Sequence, residues 1–306
     1  MAWNHKDLIS IKDLDKQDIL HILDVAKRMG PGYTPVADGK ILATLFFEPS
    51  TRTRLSFEAA MHRLGGNVIG FADSSNTSVA KGETLSDTIR IVDGYADIIV
   101  IRHPREGSAK TAAEAASIPV VNGGDGINEH PTQTLLDLYT IQETFGKFDG
   151  LTVAFVGDLK FGRTVHSLSY ALSHFDTKLC FVAPESLRMP EHYVSMLQRK
   201  GIEVTETADL KSVLPIADVL YVTRIQKERF MKPEDYDKVK GYYRLGKEIL
   251  QDAKEGMKIL HPLPRVDEIN LELDEAEQSI YFKQAHNGIP VRKALLAMLL
   301  GLVDDA

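Results

Sequence analysis

Short runs of apolar residues recur along the chain, and longer segments with helical spacing separate them. Val, Ile, Leu and Phe follow one another in these runs without the alternation of a half-exposed strand, which indicates strands covered on both faces. Strands that alternate with helices in this way predict βαβ units and parallel sheets. The predicted strands are 41–47, 67–71, 97–102, 119–121, 151–156, 178–182, 202–204, 218–223 and 257–260.

The alternation is interrupted once, at the glycine-rich segment 123–128, and a predicted helix from Pro131 to Phe145 follows it. A second apolar helix is predicted over residues 289–303, near the end of the chain. We therefore predict an α/β fold with two doubly wound parallel-sheet domains joined by bridging helices. The predicted domain ranges are 1–130 with the C-terminal segment 288–306 for the first domain, and 131–287 for the second.

Composition narrows the class of protein. The 306 residues correspond to about two domains. The formal net charge of −7 repels a polyanion, so nucleic acid is not an expected partner. The lone Cys180 excludes a disulfide framework and a cysteine metal cluster, and it fits a reducing cytosol. The start of the chain lacks the apolar core of a signal peptide, and the apolar stretch 294–303 is too short for a membrane helix. We expect a cytoplasmic protein with no membrane association.

The most specific local signal follows the first predicted strand, where Ser50, Thr51, Arg52, Thr53 and Arg54 open a helix. Free N–H groups and the helix dipole attract an anion at such a point. The hydroxyl groups add hydrogen-bond donors, and arginine adds a bidentate fork. The segment therefore predicts a phosphate site without the Gly-Lys signature of a P-loop. The alternative is an ordinary N-cap with solvated arginines. The residues predicted to line the inner side of this helix are Leu55, Ala59, Met61 and Leu64.

Two further signals belong to the first half of the chain. Arg102 ends an apolar strand, and ligands of open parallel sheets bind outside the carboxyl ends of the strands. His130 and Gln133 flank Pro131, which is favoured in the first turn of a helix. Histidine can donate to a developing oxyanion, and a glutamine side chain can recognise an amide NH₂. A surface arginine and a structural histidine remain the alternatives.

The second half contains two similar junctions. Gly157 and Gly162 lie between a strand and a helix that begins near Arg163, but their spacing is not that of a dinucleotide fingerprint. Arg224 ends another strand, and Gln226 follows two residues later. Two arginines at two strand ends fit a ligand with two carboxylates, because each guanidinium can bind one of them.

A stiff loop with two prolines ends the last predicted strand, at residues 261–265. Proline fixes the backbone and leaves carbonyl oxygens available, so Pro262 and Leu263 could accept from an amine or an amide; a rigid turn is the alternative. The chain shows no nucleophile paired with a base and no metal-ligand spacing. We therefore predict no metal and no cofactor. Direct transfer of a group from an activated phosphate to an amine fits these features.

Three motifs identify a family that this chain resembles. The segments 50–54 (STRTR), 130–133 (HPTQ) and 261–265 (HPLPR) together resemble the aspartate and ornithine carbamoyltransferases, and the resemblance extends over nearly the whole chain. Ornithine-specific members usually carry His-Cys-Leu-Pro where this chain has His-Pro-Leu-Pro. The resemblance therefore favours the aspartate-specific members, in agreement with the two arginines of the second half.

The resemblance implies carbamoyl phosphate in the first domain and L-aspartate in the second, with N-carbamoyl-L-aspartate and phosphate as products in pyrimidine biosynthesis. The implied catalytic residues are Thr53, Arg102 and His130, which would polarise the carbonyl oxygen. The implied ligands of the phosphate are Ser50, Thr51, Arg52, Thr53 and Arg102. Those of the carbamoyl NH₂ are Gln133 and the main-chain carbonyls of Pro262 and Leu263. Those of aspartate are Arg163 for the α-carboxylate, and Arg224 and Gln226 for the β-carboxylate.

The family also takes a serine and a lysine from a loop of a neighbouring subunit, and residues 76–83 match that loop. This match implies that Ser78 and Lys81 complete a neighbour's aspartate site, that a homotrimer is the smallest active unit, and that a separate regulatory chain is a possible partner. From the residues alone, the segment is a mobile surface loop. It is slightly shorter than in some relatives, so Ser78 matches less securely than Lys81. Phe161 stands where many relatives have tyrosine, so a hydroxyl contact there is lost.

Three alternatives remain at this point. An ornithine-type carbamoyltransferase is the nearest, because it shares the phosphate motif. A dinucleotide-binding dehydrogenase is suggested only by the α/β pattern and by Gly157 and Gly162, and a fold by itself does not determine function. A non-catalytic binding module would need intact but inert polar sites.

Overall fold

A computed structural model describes residues 3–73, 77–227, 230 and 232–303. The chain divides into two compact units, which we call unit 1 (Met1–Tyr139 with Asn287–Ala306) and unit 2 (Thr140–His286). The ends of the predicted first domain, 1–2 and 304–306, lie outside the described residues, as does Asn76 of the predicted loop. No helix in the described ranges is long and apolar enough to cross a membrane.

Unit 1 contains a parallel sheet of four strands in its described part, in the order β2-β1-β3-β4. Leu42 in the central strand pairs with Val68 on one side and Ile98 on the other. The central strands are buried along most of their length, as their continuous apolar runs predict. The strands are β1 (Ile41–Phe46), β2 (Asn67–Phe71), β3 (Ile98–His103) and β4 (Val120–Asp125).

Helices connect these strands, and one of them leaves the unit. The helices are α1 (Lys16–Met29), α2 (Thr51–Arg63), α3 (Leu85–Asp93), α4 (Ser108–Ala115) and α5 (Pro131–Phe145). The predicted bounds of α5 are confirmed. This helix contains the boundary between Tyr139 of unit 1 and Thr140 of unit 2, so it is a bridging helix of the predicted kind.

The inner face of α2 differs from the prediction. Phe57, Ala60, Met61 and Leu64 are buried, whereas the side of the helix at Leu55 is exposed (49%). The predicted inward position of Leu55 is therefore wrong, and Ala59 is only half-buried. The buried residues follow the helical spacing of three and four, and Leu55 lies outside that stripe.

The predicted interruption at 123–128 is also partly wrong, because β4 continues through Gly123 to Asp125. The register against β3 shifts between Ile101 and His103. A Cβ atom at Gly123 would lie 3.1 Å from the carbonyl oxygen of Ile101. Glycine thus lets β4 continue close to β3, whereas a run of glycines in the sequence predicts the end of a strand.

The chain returns to unit 1 in α10 (Gly288–Leu299), which ends earlier than predicted. This helix packs against α1 and α2. Its two cations are both buried. Lys293 Nζ donates to the carbonyl oxygens of Met29, Gly30 and Gly32 and to Thr34 Oγ1, at 2.6–3.2 Å. A buried ammonium group is thereby satisfied by carbonyl oxygens at the end of α1.

Unit 2 contains a five-stranded parallel sheet in its described part, in the order β7-β6-β5-β8-β9. The predicted parallel α/β architecture is therefore confirmed for both units. The strands are β5 (Thr152–Val156), β6 (Lys178–Val182), β7 (Glu203–Thr207), β8 (Val219–Val222) and β9 (Lys258–Leu260). The helices are α6 (Arg163–Leu172), α7 (Glu191–Arg199), α8 (Pro233–Asp237) and α9 (Tyr281–His286).

In both sheets the chain first adds strands on one side of its starting strand and then adds strands on the other side. The boundary between the two sides is the switch point of the sheet. In unit 1 this point lies between β1 and β3, and in unit 2 it lies between β5 and β8. A crevice forms there at the carboxyl ends of the two strands, and it is where open α/β sheets bind ligands. The fold thus gives each unit one favoured position for a ligand.

Candidate functional site

The first group of candidate residues follows β1, at the switch point of unit 1. Ser50 is the N-cap of α2, and its hydroxyl makes no capping hydrogen bond. Thr51 and Arg52 are exposed in the first turn. The first N–H groups of a helix have no partner within the helix and can bind an anion. The hydroxyl of Ser50 does not cap these groups, which argues against an ordinary N-cap.

Thr53 and His130 bring two helix amino ends together. Both side chains are buried, and Thr53 Oγ1 lies 3.4 Å from His130 Nε2. Gln133, one turn into α5, donates from Nε2 to Asp137 Oδ1 at 2.8 Å. The structure therefore joins two of the predicted motifs within unit 1.

Arg102 lies at the end of β3, next to β1. Its side chain is only 13% exposed, and its Nη2 forms an ion pair with Glu48 Oε1 at 2.8 Å. Its Nη1 donates to the carbonyl oxygen of Gly123 at 3.2 Å. Arg102 is thus held in place by its surroundings, which argues against a solvated surface arginine. Glu48 was not among the predicted site residues, although it lies only two residues before Ser50 of the phosphate motif.

The switch point of unit 2 is organised by Asp158, which sequence reasoning also missed. Its carboxylate accepts from the main-chain N–H of Phe161 at 3.0 Å and of Gln226 at 3.4 Å. Burial raises the pKa of Asp158, while these hydrogen bonds and the charge of Arg224 oppose the shift. One buried carboxylate therefore ties the loop after β5 to the loop after β8. Its position directly after a strand and a glycine was the available signal.

The predicted aspartate ligands lie on these two loops. Arg163 is the first residue of α6, with Gly162 as N-cap. Arg224 and Gln226 are half-buried after β8, and Gln226 Nε2 donates to the carbonyl oxygen of Phe161 at 3.4 Å. Phe161 itself packs on Phe230, with ring centroids 6.0 Å apart.

Gly157 has a structural reason for being glycine. Its φ of 118° lies in a region that other residues rarely adopt, and a Cβ atom would lie 2.2 Å from the carbonyl oxygen of Thr223. The end of β5 and the end of β8 touch at this point. Close packing therefore explains this glycine without a bound dinucleotide.

The loop 261–265 is fixed by a buried histidine. His261 Nδ1 accepts from the N–H of Leu263 at 2.8 Å, so Nε2 carries the proton and donates to Glu268 Oε1 at 2.7 Å. Burial by itself would raise the pKa of Glu268, but the hydrogen bonds from the His261 side chain and from the main-chain N–H of Val266 help to lower it overall. Leu263 adopts a positive φ of 56°. Arg265, the last residue of the motif, is engaged by Asp274 and by the hydroxyl of Tyr281.

Ser78 and Lys81 begin and end a short 3₁₀ helix in unit 1, and both are exposed. Among the described residues, no group of three or more His, Cys, Asp or Glu side chains is placed to hold a metal ion. The structure thus gathers Thr53 and His130 in unit 1, and the loops of Arg163, Arg224 and Gln226 in unit 2.

Comparisons with known proteins agree over the whole chain. A family model described as "Aspartate/ornithine carbamoyltransferase, carbamoyl-P binding domain" matches residues 6–143, and a second, "Asp/Orn binding domain", matches residues 149–299. An aspartate carbamoyltransferase catalytic subunit of Thermococcus gammatolerans is 58% identical, covering 99% of this chain and 100% of that protein.

Solved structures give the same result. The catalytic subunit of aspartate transcarbamoylase from M. jannaschii superposes with a TM-score of 0.90 at 54% identity, covering 97% of this chain and 98% of that chain. Aspartate transcarbamoylase from Trypanosoma cruzi, in complex with carbamoyl phosphate and aspartate, gives a TM-score of 0.89 at 40% identity, with 95% of each chain covered.

Proposed function

Because the chain belongs to the aspartate/ornithine carbamoyltransferase family, we propose that it transfers the carbamoyl group of carbamoyl phosphate to the α-amine of L-aspartate. The observation that carries this proposal is the placement of predicted anion ligands at the switch points of both sheets. Arg102 lies at the end of β3, and Arg163 and Arg224 follow β5 and β8. Two comparisons support it: the relative named aspartate carbamoyltransferase catalytic subunit, and the Trypanosoma cruzi structure in complex with carbamoyl phosphate and aspartate.

Unit 1 binds the phosphate of carbamoyl phosphate. The hydroxyls of Ser50, Thr51 and Thr53 and the guanidinium groups of Arg52 and Arg102 are its ligands. The uncapped Ser50 hydroxyl and the amino end of α2 support this assignment. The ion pair with Glu48 holds Arg102 beside the same strand end.

The reaction is a direct acyl transfer. The neutral amine attacks the carbonyl carbon, a C–N bond forms, and the electron pair of the C–O bond leaves with phosphate, which takes up the proton lost by nitrogen. Thr53, Arg102 and His130 donate to the oxyanion that develops on the carbonyl oxygen. The contact of Thr53 with His130 supports their joint action. No step requires a metal or a cofactor.

The carbamoyl NH₂ is recognised by acceptors. Gln133 presents its side-chain oxygen, and Pro262 and Leu263 present main-chain carbonyl oxygens. The hydrogen bond from His261 to Glu268 and that from Leu263 to His261 fix this loop, which supports a precise placement of the carbonyl groups.

Aspartate is bound through its two carboxylates. Arg163 binds the α-carboxylate, and Arg224 with Gln226 binds the β-carboxylate. Asp158 holds both loops together, so the two cationic side chains are presented from one rigid platform in unit 2. This arrangement favours a dicarboxylate over the cationic side chain of ornithine.

The enzyme is a cytoplasmic homotrimer in which Ser78 and Lys81 complete the aspartate site of a neighbouring subunit. Their exposure on a short 3₁₀ helix supports such a contact. The name "catalytic subunit" borne by relatives supports a separate regulatory chain as a further partner. The product supplies pyrimidine biosynthesis.

The direct test is an assay of the purified protein with carbamoyl phosphate and either L-aspartate or L-ornithine. We expect stoichiometric release of phosphate and formation of N-carbamoyl-L-aspartate, identified by mass, with aspartate alone. Formation of citrulline from ornithine would overturn the choice of amine. Absence of transfer to either amine would overturn the activity itself.

A further inference from the structure

Asp137 is a buried carboxylate one helical turn after Gln133, and the proposed chemistry gives it no contact with a substrate. Its exposed fraction is 0%, and it accepts from Gln133 Nε2 at 2.8 Å. A carboxylate acts here only as an acceptor. The NH₂ end of the Gln133 amide therefore faces Asp137, and the oxygen end is turned away from it.

A buried cation, Arg292, interacts electrostatically with Asp137. Arg292 of α10 is 3% exposed. Burial lowers the pKa of Arg292 to about 10, while the charge of Asp137 raises it, so the guanidinium stays charged at neutral pH. The buried guanidinium therefore attracts the carboxylate of Asp137 through surroundings of low dielectric constant.

Packing also fixes the side chain of Arg292. Its guanidinium carbon lies 4.9 Å from the ring centroid of Phe57, a residue of α2, the helix that begins at the phosphate motif. A Cβ atom at Gly288 would lie 2.2 Å from Arg292 Nη1, so glycine leaves the space that the guanidinium fills. The position of this guanidinium is thus fixed by packing within unit 1.

We propose that Asp137 is a positioning residue that fixes the Gln133 amide with its oxygen toward the ligand, so that the site selects a carbamoyl group over an acyl group without an NH₂. The proposal rests on the proposed function, in which Gln133 contacts the carbamoyl NH₂. An amide oxygen accepts from that NH₂, whereas an amide NH₂ in the same place would oppose it.

The decisive variant is Asp137→Asn, which keeps the shape of the side chain. The donor-only guanidinium of Arg292 attracts the oxygen of the new asparagine, so the asparagine NH₂ faces Gln133. Gln133 then has to present its own oxygen to that NH₂ and its NH₂ to the ligand. The variant thus turns the Gln133 amide around without removing it.

The measurement is a pair of dissociation constants, for carbamoyl phosphate and for acetyl phosphate, in which a methyl group replaces NH₂. We call the ratio of the second to the first the carbamoyl preference. In Asp137→Asn we expect this preference to fall roughly tenfold to a hundredfold, while the affinities for acetyl phosphate and inorganic phosphate stay unchanged. Equal weakening of all three ligands in a variant that still folds, or an unchanged preference, would overturn the proposal.

Matched variants distinguish the role of Gln133 in binding the carbamoyl group from the role of Asp137 in positioning Gln133. Asp93→Asn changes another carboxylate of unit 1, which binds Ser117 and Ile118, and should leave the preference unchanged. Gln133→Ala should reduce the preference as Asp137→Asn does, and the two changes together should add nothing further. If Gln133→Ala has no effect, the role of Gln133 in the proposed function fails. If Gln133→Ala acts and Asp137→Asn does not, only the positioning role fails.

A measurement on the unaltered chain covers the case in which Asp137→Asn does not fold. The side-chain amide signal of Gln133 in a ¹H–¹⁵N spectrum is assigned by its loss in Gln133→Ala. With inorganic phosphate bound, we expect one of its two protons to exchange slowly with solvent, because it is bonded to a buried carboxylate. Exchange of both protons at the rate of an exposed glutamine would contradict the proposal.

Discussion

Thr53 Oγ1 lies 3.4 Å from His130 Nε2, with both side chains buried at the amino ends of α2 and α5. One residue comes from the phosphate motif and the other from a helix that starts far along the chain. Their contact places an imidazole beside the site proposed for phosphate. It therefore predicts a role for His130 that differs from that of the phosphate ligands.

For His130→Ala we expect turnover to fall roughly 10²–10³-fold, the loss typical of one oxyanion donor. The affinity for carbamoyl phosphate should change only modestly, because the phosphate ligands stay in place. Steady-state kinetics with equilibrium titration of carbamoyl phosphate separates the two effects. His62→Ala, at the other end of α2, is the control and should behave as the unaltered enzyme. Equal losses of binding and turnover would reject the oxyanion role.

Arg224→Ala should weaken aspartate binding and leave carbamoyl phosphate binding nearly intact. A hydrogen bond to a charged group contributes about 1.5–3 kcal/mol, which corresponds to roughly 10- to 150-fold in affinity. Calorimetric titration of each ligand checks the expectation. Arg188→Ala provides a matched control in unit 2, since Arg188 pairs only with the exposed Glu185 among the ion pairs of the described chain. Parallel weakening of both ligands would contradict the assignment of Arg224.

Gly157→Ala should lower both the melting temperature and the affinity for aspartate. The added methyl group would meet the carbonyl oxygen of Thr223 at 2.2 Å and push apart the loops after β5 and β8. Gly201→Ala carries the same kind of backbone strain at a φ of 84° but meets nothing within 4 Å. Differential scanning calorimetry and aspartate titration of both variants separate the steric effect from the strain. Similar losses in the two variants would show that the close approach has no consequence.

Glu268→Gln should remove part of the stability of unit 2 and alter its dependence on pH. Because the pKa of Glu268 is lower in the folded state than in the unfolded one, its charge contributes stability above its unfolded pKa of about 4.3. That contribution is lost as the pH falls through the folded pKa. Melting temperatures measured between about pH 7 and pH 3 should therefore converge for the two proteins at the acidic end.

The control for this comparison is Glu277→Gln, whose side chain is 91% exposed. It should follow the unaltered protein at every pH. A constant difference between the Glu268→Gln and unaltered proteins over the whole range would mean that the carboxylate charge of Glu268 has no part in the stabilisation.

The strands were predictable because burial on both faces leaves a direct trace in the sequence. The run 178–182 coincides with β6, which is buried after Lys178, and α5 has its predicted bounds. The run 67–71 also coincides with β2, although this edge strand is mostly exposed. The candidate anion ligands were also visible, since arginines and hydroxyls at strand ends have few structural reasons to occur together.

The residues that hold these ligands were not predictable from local pattern. Glu48 reaches Arg102 across two neighbouring strands, and Asp158 joins loops whose residues are distant in sequence. Leu55 was misplaced for a related reason, because the direction of an apolar stripe depends on the surface against which the helix packs. Such pairings arise only when the sheet order brings the strand ends together.

The four acceptors around Lys293 have a consequence for how the polypeptide reaches its native state. Since α10 supplies the ammonium group that closes the end of α1, unit 1 lacks a piece of its own core until α10 has left the ribosome. The middle of the chain, which forms a continuous unit, has all its parts earlier. During synthesis, unit 2 can therefore be completed before unit 1, although translation of unit 1 begins first.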